Sequence, residues 1–209
     1  MISDPAVIRP ATLKLLKKLS TDSRLDEHFL VGGTALALQF GHRLSIDLDL
    51  FTLKEFEADH LQQYLENAYG FTVSDKFTNG LMGFIEGIKV DLIRHAYPLV
   101  EPMISEPPIR MAHALDISAM KLNAISGNGT RVKDFYDMYT LLEHHPLTDM
   151  LGAYVKKYPN SGVHIATKSL AYFDDIDFER EPALMVRNID FAQVRERLEA
   201  AVLDPYRVF

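Results

Sequence analysis

A chain of 209 residues can bury a substantial core in one large domain or two small ones, and 47% apolar against 24% charged residues is the balance of a globule and excludes a disordered chain. The absence of cysteine excludes disulfides, thiolate metal sites and cysteine nucleophiles, so any metal must bind oxygen or imidazole; the net charge of −7 argues against a broad nucleic-acid surface but leaves room for a local basic groove. No apolar run approaches the roughly 18 residues of a membrane span and the amino terminus lacks a basic-then-apolar pattern, which predicts a chain without membrane span or signal peptide and a cytoplasmic address.

In chain order, Leu13, Leu15, Leu16 and Leu19 behind Pro10 predict an amphipathic helix whose Lys14, Lys17 and Lys18 face water. Phe29-Leu30-Val31 is a short strand ending in Gly32-Gly33, and Thr34 is the expected N-cap of a helix through Leu36, Leu38 and Phe40. Free N–H groups at such a helix start can take a phosphate, although Gly-Gly-Thr alone is equally an ordinary turn and cap.

Asp47 and Asp49 alternate with Ile46, Leu48, Leu50 and Phe51, which demands a strand. Period two sends both carboxylates to one face. Like charges so placed repel, whereas a hard divalent cation such as Mg²⁺, held by one or two carboxylates and substrate phosphates, turns the repulsion into binding. The stretch from Val31 to Phe51 therefore reads as a metal-dependent nucleotide site.

Thr52 is the expected cap of a second helix through Phe56, Leu61 and Leu65 that stops near Gly70. Phe71 to Phe77 reads as a strand, Asn79-Gly80 as a hairpin turn, and Leu81 to Glu86 and Ile88 to Arg94 as two more strands about Gly87. Asp91 is the acidic residue of the last strand whose alternation can place it beside Asp47 and Asp49; a strand-edge aspartate in water is the alternative. Pro98, Pro102, Pro107 and Pro108 predict a break in regular structure and a boundary. Beyond it the apolar period becomes 3.6, predicting helices over Leu115 to Ile125, Phe135 to Leu142, Val163 to Phe173 and Phe191 to Val202, hence a helical bundle.

The succession of Gly-Gly, helix and hydrophobic-Asp-hydrophobic-Asp-hydrophobic resembles the nucleotidyltransferases of the DNA polymerase β superfamily. More narrowly, Gly32-Gly33-Thr34 followed by Gly41-His42-Arg43-x-Ser45-x-Asp47-x-Asp49-x-Phe51 resembles the AbiEii/AbiGii toxin family. Lys121 within an apolar helix and the segment Arg131-Val132-Lys133-Asp134-Phe135-Tyr136-Asp137 are similar to further motifs of that family. The resemblance implies an α+β fold with a polymerase β-like mixed sheet and flanking helices. Residues 1–108 would form the catalytic domain and residues 109–209 a helical domain closing the nucleotide cleft.

It also implies transfer of a nucleoside monophosphate from a nucleoside triphosphate, with pyrophosphate released. Asp47 and Asp49 would bridge two Mg²⁺ ions, and Asp91 would hold the one that activates the acceptor. Gly33 and Ser45 would cradle phosphates at the turn of Gly32 and Thr34. Arg43 would support the phosphates or the acidic strand, Lys121 would hold the triphosphate, and Asp134 would face the nucleotide. By residue type alone, Lys121 reads first as a snorkelling surface lysine and Lys133 with Asp137 as a plain i,i+4 pair, and it is the resemblance that turns Lys121 and Asp134 toward the nucleotide. The implied acceptor is RNA such as transfer RNA, with a cognate antitoxin as partner. An aminoglycoside-like small molecule, or a silent nucleotide-binding module, is the alternative. The histidines lack metal-site spacing, and Asp174, Asp175 and Asp177 read as a solvated loop or cap.

Overall fold

The computed structural model describes residues 4–179 and 182–209. The chain opens with α1 (Pro10–Ser20), which buries Leu15, Leu16 and Leu19 and carries Lys17 and Lys18 in its last turn, where they complement the helix dipole. Then follow β1 (Phe29–Leu30), α2 (Gly32–Phe40), β2 (Leu48–Thr52), α3 (Ala58–Tyr69), β3 (Thr72–Phe77), β4 (Gly80–Ile85) and β5 (Ile88–Arg94). Two short strands, β6 (Ile104–Glu106) and β7 (Ile109–Met111), lead into α4 (Ala114–Gly127), α5 (Val132–Leu141), α6 (Leu147–Lys157), α7 (Val163–Leu170) and α8 (Phe191–Leu203).

The strands form one mixed sheet in the order β3-β4-β5-β2-β1-β7-β6. Its centre is the parallel pair β2 and β5, in which Asp49 lies opposite Asp91. The buried side chains Leu48, Leu50, Val90 and Leu92 fix that register, because a one-residue slip would turn them away from the core. β3 and β4 form the expected hairpin, with Asn79 at φ 59 supplying the left-handed turn residue. Helix α4 is the hub of the carboxyl half and packs against α2, α5, α6 and α7.

Three local expectations are corrected. Thr52 does not cap a helix: it closes β2, its hydroxyl accepts from the Lys54 N–H, and α3 starts only after Glu57. The proline-rich segment does not end regular structure. Pro107 and Pro108 occupy the two-residue turn between β6 and β7, where no N–H is required, and β7 joins β1 in parallel through the Ala112 N–H and the Leu30 carbonyl. The sheet thus continues past residue 108. A fifth carboxyl-terminal helix, α6, was not anticipated, because its buried stripe of Leu147, Met150, Ala153 and Tyr154 ends in a lysine. Lys157 Nζ lies 2.8 Å from both Asp116 Oδ1 and the Pro98 carbonyl, which makes its burial affordable.

Candidate active site

A cleft of about 420 Å³ lies between the sheet and α4, lined by Gly32, Gly33, Asp47, Asp49, Lys89 and Lys121 among others. Asp47 precedes β2 by one residue and Asp49 lies within it, so strand alternation sends both to one side. Asp91, opposite Asp49 on β5, is 5% exposed, and its Oδ1 is buried with no hydrogen-bond partner. Its Oδ2 is 2.9 Å from Lys89 Nζ. Burial first, and then the negative charge of Asp91, push the Asp49 carboxyl above the usual aspartate value.

The two glycines serve this arrangement. Gly32 has φ +67, and a Cβ there would fall 2.5 Å from Asp49 Oδ2; a Cβ on Gly33 would fall 1.9 Å from Arg43 Nη2. The backbone is bare so that a carboxylate and a guanidinium can approach the helix start. Thr34 is not the N-cap. Val31 holds that position, and Thr34 lies buried in the first turn, where its hydroxyl donates to the Asp47 carbonyl and lies 2.8 Å from Ser45 Oγ. Thr34 and Ser45 together fix the entry of the acidic strand.

Behind the cleft is a closed network of charges. Arg43 donates from Nε (2.6 Å) and Nη2 (3.0 Å) to the two oxygens of Asp137, a bidentate fork. Lys121 Nζ lies 2.6 Å from Asp134 and 2.7 Å from Asp137; Arg131 Nη2 adds a contact of 2.7 Å to Asp134. His42 Nε2 completes the Asp137 shell at 2.8 Å. Burial alone would raise Asp137, but Arg43 and Lys121 hold it well below the usual range. Burial would likewise lower Lys121 and Arg43, and the facing aspartates hold both up. Burial outweighs the Asp137 bond at His42 and keeps the imidazole neutral at physiological pH.

The predicted residues are therefore gathered into two layers. Gly32, Gly33, Asp47 and Asp49 line the cleft, and Asp91 lies buried opposite Asp49 on β5. Arg43 and Lys121, which also line the cleft wall, converge on Asp137, and the Lys121 ammonium is shared between Asp137 and Asp134. Lys133 does not form the i,i+4 pair with Asp137; its Nζ lies 3.9 Å from Asp47 Oδ2. Lys89 escaped the sequence reading, and the role of Asp137 was not legible because its partners Arg43, His42 and Lys121 lie on other elements. The signal for Lys89 was its position two residues before Asp91 on one strand face. The segment of Asp174, Asp175 and Asp177 is exposed, with buried Ile176 pinning it to the core.

Among the described residues no group of three His, Asp or Glu is already gathered as a metal shell. The donors nonetheless fit a hard divalent cation. Oxygen ligands, a carboxylate raised by a like charge and an orphaned carboxylate oxygen form the environment that such an ion relieves.

A family model described as nucleotidyl transferase AbiEii toxin, Type IV TA system, matches residues 14–98 and 82–206. The chain belongs to this family. A relative within reach is an uncharacterized protein of Aquifex aeolicus (strain VF5), 32% identical over 166 residues, covering 77% of this chain and 80% of its own. Among solved structures, a candidate nucleotidyltransferase from H. pylori superposes with a TM-score of 0.56 at 18% identity, covering 94% of this chain and 95% of that one. An antigenic nucleotidyltransferase-like protein from Paracoccidioides brasiliensis gives 0.50 at 16% identity, again over 94% and 95%. The AbiEii family and its nucleotidyltransferase fold agree with the mixed sheet and glycine turn described above.

Proposed function

We propose that this AbiEii-family chain transfers a nucleoside monophosphate from a nucleoside triphosphate to an RNA end, releasing pyrophosphate. The observation that carries the reading is the pair of cleft-lining carboxylates Asp47 and Asp49, with Asp91 and its orphaned Oδ1 opposite Asp49, beside the glycine start of α2. Asp47, Asp49 and Asp91 would hold Mg²⁺, which when bound neutralises charge on the entering and leaving oxygens. The first N–H groups of α2 have no intrahelical partners and meet the phosphates. An acceptor hydroxyl oxygen bonds to the α-phosphorus as the bond from that phosphorus to the bridging β-oxygen breaks. The hydroxyl proton passes to Asp91 Oδ1. Lys89 and Lys133, beside the carboxylates, offset the charge of the triphosphate. In this reading Lys121, Asp134 and Arg43 act by fixing α4 and α5 against the acidic strand, and the residues beyond 109 close the cleft.

RNA is favoured over a cationic drug by the groove of about 710 Å³ that continues from Asp47 past Lys89, Lys133 and Arg9, with Glu86 as the other acid among the described residues lining it. Such cations repel an aminoglycoside and neutralise a nucleic-acid backbone. Phe84 in this groove is 42% exposed and offers a stacking face. The family description leads us to expect a cognate antitoxin.

The test incubates the protein with Mg²⁺, each labelled nucleoside triphosphate in turn, and total small RNA. Label should enter RNA, and Asp91→Ala should abolish it. Label on an aminoglycoside or a protein hydroxyl, with RNA untouched for all four nucleotides, overturns the acceptor.

A further inference from the structure

The cleft is chemically polarised. Its Asp47 end opens toward Lys89, Lys133 and Arg9. The other end is aromatic. Phe51 follows Asp49 by two residues on β2 and so lies on the same face, roughly 7 Å further along the strand, about a sugar's width. Its ring is 5.4 Å from that of His95, which enters just after β5. His95 Nε2 lies 3.2 Å from Tyr158 Oη at the end of α6. Across the gap α4 supplies Met120 and, one turn on, Asn123, whose exposed amide stands on the cleft wall.

We propose that this aromatic end is the subsite for the base of the nucleoside triphosphate, stacked against Phe51, His95 and Tyr158, with the Asn123 amide reading the base edge. The inference rests on the nucleotidyltransferase reading and deepens it by giving the nucleotide a direction: phosphates at the start of α2, base at Tyr158. Among the described residues the aromatic end offers no uncommitted cation for a phosphate, because the nearby Lys157 is held by Asp116 at 2.8 Å. Burial, and then the charge of Lys157, lower the His95 imidazole to about 4, so at neutral pH it presents a neutral aromatic face. Flat apolar faces with one amide suit a base, since stacking accepts any base and an amide, with two donors and one acceptor, distinguishes their edges. An acceptor strand has its own route, the basic groove at the opposite end.

Equilibrium titrations of the full chain with Mg²⁺ compare α,β-methylene analogues of the four nucleoside triphosphates with inorganic tripolyphosphate. The analogues should bind about ten-fold or more tightly than tripolyphosphate, the gain expected from base stacking. Phe51→Leu should remove most of that gain and leave tripolyphosphate affinity unchanged. Asn123→Ala, on an exposed helix surface where folding is not at risk, should narrow the spread among the four bases. Equal binding of analogues and tripolyphosphate overturns the subsite while leaving the phosphate site standing. Unchanged base discrimination in Asn123→Ala overturns the edge-reading role, and with it the proposal. Loss of RNA binding with nucleotide binding intact in Phe51→Leu assigns the chamber to the acceptor and also overturns it. Failure of tripolyphosphate and every analogue to bind the parent chain sinks the nucleotidyltransferase reading itself.

Discussion

Asp49 and Asp91 lie opposite each other on the sheet with Asp47 nearby, and the cations that approach this trio, Lys89 and Lys133, come from the half-open cleft. Asp134 and Asp137 lie a few residues apart on α5 and are enclosed by Arg43, Lys121, Arg131 and the His42 ring. The side chains are chemically identical, and their surroundings oppose. On the sheet, burial and like charge raise Asp49 above its ordinary value; on the helix, two cations hold Asp137 well below it. On the sheet, ionising Asp49 beside Asp91 costs stability, whereas Asp137 on the helix is fully paired and contributes stability. A motif that contains aspartates thus divides by function only when the partners are known.

The largest expected effect breaks the sheet side. Asp49→Asn should lower nucleotidyl transfer on the order of 10³-fold, as removal of a preorganised charge-stabilising group does. The same variant should melt at or above the parent's temperature. Because the folded state holds the Asp49 proton more tightly than the unfolded chain, ionising it costs stability as pH rises from the ordinary value of 3.8 through its raised folded value, and asparagine removes that cost. Full activity, or marked unfolding by calorimetry, would erase the contrast.

Asp137→Ala tests the other side. It leaves Arg43 and Lys121 buried without their shared partner, and urea unfolding should report a loss of about 3–5 kcal/mol. The parent's Asp137 contribution is fully present above pH 3.8 and is lost as pH falls below it toward the depressed folded value. A loss below 1 kcal/mol would mean that the network is decorative.

A smaller effect sharpens the pH comparison. His28 and His95 are both lowered to about 4 from 6.5, chiefly by burial, so the unfolded chain binds more protons between those values. Stability should fall as pH drops from 6.5 toward 4. His28→Gln should flatten that decline in chemical-denaturation midpoints measured across the range, and an unaltered profile would remove His28 from the account.

The smallest effect concerns the groove. Lys133→Ala should reduce the salt slope of RNA binding by about 1, the signature of one phosphate contact. An unchanged slope would remove Lys133 from the RNA contact.

Much of the sheet was legible because its signals are local. Alternation over Ile46 to Phe51 and Ile88 to Ile93, the Asn79 turn and the glycine pair each state their geometry within a few residues. The shared side of Asp47 and Asp49 followed from that alternation, whereas for Asp91 alternation left a strand-edge aspartate open and the family resemblance decided. The glycines were legible as sites of close approach, but what approaches them, Asp49 and Arg43, was not. Thr34 was misread as a cap because a threonine after two glycines looks the same whether its hydroxyl meets a helix N–H or the Asp47 carbonyl. β6 and β7, three residues each, are too short to show a period among prolines. Lys157 hid α6 because a buried lysine is intelligible only with Asp116, 41 residues away. Lys121 and Asp137 carried a family motif, yet their pairing depends on the α4–α5 packing and on His42 and Arg43 from a distant turn.

The fork between Arg43 and Asp137 joins residues 94 positions apart. A ribosome adding about 5–20 residues per second needs roughly 5–20 s to produce the second after the first. Once Asp91 has been added, the nascent chain carries the glycine turn and the three sheet carboxylates, but not Asp137, the bidentate partner of the guanidinium that lies against Gly33. The helix start and acidic strand cannot be pressed into their final arrangement until α5 emerges. The contact that seats Arg43 against the glycine turn is therefore among the later ones to become available as the chain is made, since it waits for α5.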